Sequence, residues 1–215
     1  MNLIPRRDIL LYGLGSLGVT LGLSIEAANG AILSRGCRCG VKTSISGNKK
    51  SNRLPERWGK NHLTYLMSGR DTNDMDVEVW DAQFKLAFES WSAVCPLTFS
   101  KVYSQDEADF VIGVSRRRRS NFGKRGGVLA WAEMPPRNDY NGQLRTMFDL
   151  AEDWVLPGVG YGIILQAVAA HEIGHLLGLD HSVEKGTLMY PYINDALIPQ
   201  AGDIAEIQSL YGKKE

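Results

Sequence analysis

Apolar residues recur at helical spacing between positions 77 and 91: Val77, Trp80, Phe84, Ala87, Phe88 and Trp91 form one stripe. That spacing predicts an amphipathic helix with its aromatic side turned to a sheet, which is a core rather than a cofactor box. Asn73 or Asp74 stands where it can cap the helix. Alternation of apolar and polar positions predicts a strand over residues 62–67, with Leu63 and Tyr65 on one face and Thr64 and Leu66 on the other. Further strands are expected over residues 98–103, 109–115 and 128–133, and Asn141-Gly142 is a turn signal leading to another over 145–149. Helical patterns return over residues 163–177 and 203–211. The order strand, helix, strands, helix, helix predicts an α/β sandwich around a twisted, mostly parallel sheet.

A second pattern sits at the N-terminus. Arg6 and Arg7 precede an apolar stretch over residues 9–25 that is diluted by Gly13, Gly15, Gly18 and Gly22. It is too short and glycine-rich for a stable membrane span and reads as an export signal occupying residues 1–30. Its Pro5-Arg6-Arg7-Asp8-Ile9-Leu10 run resembles a twin-arginine signal, with Pro5 departing from the usual residue. Residues 41–56 are polar and include Gly47-Asn48-Lys49-Lys50-Ser51-Asn52, the composition of an exposed linker open to proteolysis.

The 215 residues suffice for one domain with a real core plus a short extension. The formal charge is zero, so composition points to no nucleic-acid partner. The run over residues 116–119 reads as a solvated basic loop, or as arginines that neutralise nearby carboxylates. Three cysteines, an odd count, exclude a disulfide scaffold. Cys95, among apolar neighbours, is expected to be buried and inert.

The chemistry is concentrated in His171-Glu172-Ile173-Gly174-His175-Leu176-Leu177-Gly178-Leu179-Asp180-His181, which holds three of the chain's four histidines. Residues four apart share a helix face, so His171 and His175 can aim at one point. Gly178 permits the turn that returns His181 as a third ligand. Three imidazoles leave a fourth tetrahedral position open, the arrangement of a catalytic rather than a structural zinc. Glu172, one residue off the ligand face, is placed as the general base of a hydrolase. Gly186-Thr187-Leu188-Met189-Tyr190-Pro191 follows as a methionine-containing turn.

These residues resemble the metzincin zinc peptidases and, within them, the matrixins. Val168-Ala169-Ala170, Asp180-His181-Ser182 and Leu188-Met189-Tyr190-Pro191 carry the likeness around the histidines. Away from them it rests on Lys60-Asn61-His62-Leu63-Thr64-Tyr65, Pro96-Leu97-Thr98-Phe99, Glu107-Ala108-Asp109-Phe110, Val128-Leu129-Ala130 and Ile207-Gln208-Ser209-Leu210-Tyr211-Gly212. The resemblance implies a metzincin-type domain over residues 57–215 with a five-stranded sheet, three helices and a Met-turn. Its implied activity is that of a secreted zinc metalloendopeptidase with one catalytic zinc, acting as a monomer on protein or peptide substrates. Met189 is implied as an apolar floor under the metal, and Ala167, Pro191, Tyr192 and Ile193 as walls of an apolar pocket. Ile193 replaces the family's usual Tyr. The strand over 128–133 is implied as the edge to which an extended substrate adds.

Arg38-Cys39-Gly40-Val41 resembles the family's cysteine switch, in which a pro-segment thiolate takes the fourth zinc position. Residues 31–56 are then a short pro-segment and linker, with Lys42-Thr43 replacing the usual Pro-Asp and Cys37 competing for the role. Trp131 and Met147 stand where the family's structural-zinc histidines would fall, so that zinc is not expected. Asp149 and Glu152 keep the spacing of calcium ligands, while Gly123 replaces an expected Asp, which leaves calcium open. The competing readings are an inactive binding module on the same scaffold and a polyanion binder using the arginine run.

Overall fold

The computed structural model describes residues 38–40, 56–69, 76–115, 122, 125–136 and 138–215. The chain divides into Met1–Gly30 and Ala31–Glu215, and every described residue belongs to the second unit. The expected export signal, Cys37, the cap candidates Asn73 and Asp74, the arginines 116–119 and Gly123 lie outside the described residues.

The strands are β1 (Arg38–Cys39), β2 (His62–Ser68), β3 (Thr98–Lys101), β4 (Phe110–Ser115), β5 (Val128–Ala132), β6 (Leu144–Asp149), β7 (Trp154–Val155) and β8 (Ile163–Ile164). The helices are α1 (Val77–Ser92), α2 (Leu165–Leu176) and α3 (Ala201–Tyr211). The main sheet runs β1-β5-β6-β4-β2-β3, and β7-β8 form a separate pair. Within it β2, β3, β4 and β6 are parallel, while β5 runs antiparallel to β6. The five expected strands are therefore present and mostly parallel. The additional strand, β1, comes from the segment around Cys39 and lies parallel to β5.

Local composition explains these elements. β2 alternates, with Leu63 and Tyr65 buried. β4 sits between β2 and β6, and its Phe110-Val111-Ile112 run is buried on both faces, as a central parallel strand requires. On α1 the residues Trp80, Phe84, Phe88 and Trp91 are each at most 2% exposed. Phe84 meets Phe148 edge-on at 5.1 Å, and Phe88 stacks on Phe110 at 6.1 Å. Each buried phenylalanine contributes about 1.5–3 kcal/mol. Val77, on the same stripe, is exposed because it opens the first turn. Asp76 is the N-cap residue, without a side-chain capping bond, so the helix starts after both cap candidates.

The zinc-motif helix begins at Leu165, two residues later than expected, because Ile163 and Ile164 pair with Trp154 and Val155. From Val168 to Leu176 every residue of α2 is buried, as an internal helix must be. The Trp91 indole donates to the Ala170 carbonyl at 2.9 Å and ties α1 to α2. α3 opens with a reciprocal capping box between Gln200 and Asp203, which moves its start ahead of the expected residue. Cys95 is fully buried, donates to the Trp91 carbonyl at 3.2 Å, and burial raises its thiol pKa. No helix of the described residues is long and apolar enough to cross a membrane.

Candidate metal centre and substrate cleft

Helix α2 delivers His171 and His175 one turn apart on the same face. It ends at Leu176 with Leu177 as its C-cap, and Gly178 adopts φ +101°, a left-handed conformation that favours glycine. A side chain at Gly178 would also collide with the Glu56 carbonyl. The chain then doubles back and brings His181 in. Ring centroids lie 4.9 Å apart for His171 and His175, 5.4 Å for His171 and His181, and 4.6 Å for His175 and His181. One donor atom from each imidazole and the Cys39 sulfur all fall within 4.8 Å of one another, the span of a single ion's coordination sphere.

The hydrogen bonds set the tautomers. His171 Nδ1 meets the Leu188 carbonyl at 2.6 Å, and His175 Nδ1 meets the Leu179 carbonyl at 2.8 Å. A carbonyl only accepts, so each Nδ1 carries the proton and each Nε2 presents its lone pair inward. The Nε2 atoms of His171 and His175 are buried without a hydrogen-bond partner. Burial lowers the His171 pKa to about 4, opposed by its bond to Leu188. Burial, then the nearby His171, brings His181 to about 4, and His175 lies well below the ordinary imidazole value for the same reasons. These are neutral, preoriented nitrogen donors, and the set fits a zinc ion.

Glu172 is fully buried beside them. Burial pushes its carboxyl pKa up to about 8, and the Cys39 thiol opposes that shift by favouring the ionised form. Met189 is also fully buried, and a side chain at Gly174 would collide with its sulfur, so the methionine packs directly under α2. The turn holding Met189 hangs on a residue that sequence reasoning placed only as the start of the last helix. Asp203, 2% exposed, accepts from the amides of Leu188 at 2.8 Å, Met189 at 3.0 Å and Gln200 at 2.8 Å. Its only sequence signal is an acidic residue in the first turn of that helix.

A second support was also missed. Trp58 is fully buried and donates through Nε1 to the Leu176 carbonyl at 2.7 Å. Its amide donates to the Tyr211 hydroxyl at 3.1 Å, and that hydroxyl donates to the Leu177 carbonyl at 2.8 Å. Two residues distant in sequence thus satisfy the carbonyls at the end of α2.

The pocket beside Glu172 is lined by Ala167, Pro191, Tyr192 and Ile193 together with Leu129 and Val168. Arg38 and Cys39 also border it. Their strand lies between β5 and the Pro191–Tyr192 segment. Arg38 donates to the Gly127 carbonyl at 3.0 Å, Gly40 to Ala130 at 2.7 Å, and Cys39 to Pro191 at 3.1 Å. Cys39 is 8% exposed.

The remaining sites stand apart. Trp131 and Met147 face each other across β5 and β6. Asp149 is fully buried and Glu152 is 6% exposed. His62, exposed at the start of β2, shares a hydrogen bond with the Thr98 hydroxyl of β3 at 3.0 Å.

Comparison with known proteins agrees with this geometry. The Matrixin family model matches residues 57–212. Stromelysin-1 of Equus caballus is 38% identical over 188 residues, covering 81% of this chain and 36% of that protein. Interstitial collagenase of Sus scrofa is 42% identical over 165 residues, covering 74% of this chain and 34% of its own length. Matrix metalloproteinase-18 of Xenopus laevis is 39% identical over 186 residues, covering 82% and 37% respectively. The chain thus spans about a third of the length of these curated relatives. With the family match running from just before Trp58 to the end of α3, the chain belongs to the matrixin family.

Proposed function

We propose that the protein is a zinc-dependent endopeptidase, exported by residues 1–30, with its catalytic domain over 57–215 acting as a monomer. The observation that carries this reading is the convergence of three neutral imidazoles next to a buried carboxylate. His171, His175 and His181 would hold the ion. Zinc bound there supplies Lewis acidity toward a peptide carbonyl and an attacking water. Glu172 takes the water's proton and passes it to the leaving amine. β5 aligns an extended substrate through main-chain hydrogen bonds. The Ala167, Pro191, Tyr192 and Ile193 pocket receives a large apolar side chain that follows the cleaved bond.

The unprocessed chain is latent in this reading. The segment around Cys39 lies along β5, where substrate would lie, and its sulfur is gathered with the imidazole nitrogens. Zinc favours thiolate, so Cys39 would join the three imidazoles in holding the ion and would keep water from it. Removal of residues 31–56 then exposes the cleft.

The deciding experiment is peptide-library cleavage by the processed protein, with zinc analysis, before and after chelation and zinc return. Cleavage that is lost and restored, and that falls by about 10²–10⁴-fold in zinc-loaded Glu172→Ala, is the expected result. A zinc-loaded protein that cleaves nothing selects the inactive binding module instead.

A further inference from the structure

The loop entering β5 is held from across the sheet by the loop leaving β6. The Gly126 amide donates to both oxygens of Glu152, at 2.8 and 3.1 Å. Gly126 takes φ +75°, which turns its N–H toward that carboxylate. The adjacent Arg125 guanidinium forms an ion pair with Asp153. Asp149 Oδ1 accepts from the Ala151 amide at 2.8 Å, and the Asp149 carbonyl accepts from the Trp154 indole at 2.8 Å.

This geometry bears on the calcium suggested by the spacing of Asp149 and Glu152. A bidentate calcium would sit between the two oxygens of a carboxylate, about 2.3–2.6 Å from each. In Glu152 that position is filled by the Gly126 nitrogen. One Asp149 oxygen, Oδ1, is likewise engaged by the Ala151 N–H. Calcium also needs about six to eight oxygen ligands, and the loop supplies Gly123, Lys124 and Arg125 in sequence where an acidic residue would be required. Among the described residues the donor set does not fit the ion.

We propose that Glu152 is a positioning residue whose carboxylate holds the Gly126 amide in the place of a bound cation. It clamps the Gly126–Gly127 loop and so fixes the start of β5, the edge on which substrate aligns. The positive end of an amide dipole faces Glu152, and Arg125 pairs with the neighbouring Asp153. The consequence is a matrixin domain whose cleft edge holds its shape irrespective of calcium.

The test uses the full-length, zinc-replete chain freed of calcium. Calcium chloride is titrated by calorimetry, and terbium by luminescence sensitised through Trp154. The expected result is no saturable calcium binding below millimolar concentration and an unmoved melting temperature. Glu152→Gln lowers that temperature by roughly 3–10 °C, equally with and without calcium. In the processed protein it raises KM more than it lowers kcat, because β5 contacts are made in ground and transition states alike. Saturable calcium binding that raises the wild-type melting temperature and disappears in Glu152→Gln would overturn the proposal, as would a Glu152→Gln protein of wild-type stability. The wild-type titration decides the matter even where the variant does not fold. Only the KM readout rests on the peptidase reading, so its failure is separable from a failure of the calcium result.

Discussion

Asp203 and His171 are linked through a single residue. The Asp203 carboxylate accepts the Leu188 amide at 2.8 Å, and the Leu188 carbonyl accepts the His171 Nδ1 proton at 2.6 Å. A carboxylate in the last helix therefore orients an imidazole on the preceding one, with the Met189 turn as the intermediary. Supporting contacts of this kind typically change metal affinity by about 10–100-fold.

Asp203→Asn keeps one acceptor oxygen and turns an NH2 group toward the amides the carboxylate served. We expect a loss of about 2–4 kcal/mol of stability, from a buried network left partly unsatisfied. Zinc affinity, read by competition with a chromophoric chelator, should weaken about 10–100-fold. Unchanged zinc affinity in a folded variant would break the link between Asp203 and His171.

Cys39→Ser keeps the size of the side chain and removes the soft ligand. Hydrolysis of a peptide by the unprocessed chain should rise by at least about tenfold as thiolate competition for the fourth position is lost. Equal rates for the two unprocessed proteins, with the processed forms also equal, would show that the Cys39 strand does not maintain latency.

The metal-free protein should have a stability maximum near neutral pH. His171 and His181 have folded pKa values of about 4 against an ordinary 6.5, and His175 also lies well below 6.5. The unfolded chain therefore binds more protons as pH falls from 6.5 toward 4, and stability declines on the acid side. Glu172 has the opposite sign. Its folded pKa of about 8 against 4.5 means that the unfolded chain releases a proton the folded chain keeps, so stability also declines as pH rises toward 8. Between 4.5 and 6.5 the three imidazoles outweigh the one carboxyl. Melting temperatures of chelator-treated protein across pH 4 to 9 test this, and a curve that only rises or only falls contradicts it.

Trp58→Phe removes one hydrogen bond and shrinks a fully buried indole to a phenyl ring. The Leu176 carbonyl at the end of α2 then loses its indole partner. Denaturant unfolding should show a loss of about 1–3 kcal/mol, the cost of a buried unpaired polar group. A loss below about 0.5 kcal/mol would show that water or a backbone shift replaces the bond.

The metal-site histidines were legible because their spacing is local. Two ligands one helical turn apart, a glycine that permits reversal and a third imidazole three residues later need only helix geometry to bring them together. The aromatic stripe of α1 and the alternation of β2 were legible for the same reason, since a repeat along the chain reports which face is buried. Boundaries were less so. Ile163 and Ile164 suit a helix or a strand equally, and the partners that made them β8 are Trp154 and Val155, which periodicity does not reveal.

By itself, then, the sequence determined the fold class, from repeats along the chain, and the grouping of His171, His175 and His181 beside Glu172, a property of neighbours along one segment. Tertiary structure alone decided that Asp203 suspends the Met-turn, that Trp58 closes the end of α2, that Cys39 lies along β5, and that Glu152 grips Gly126. Each of these is a single hydrogen-bonding or packing contact between residues far apart in the chain. An isolated contact leaves no repeat in the sequence, and only the folded backbone brings its two halves within reach.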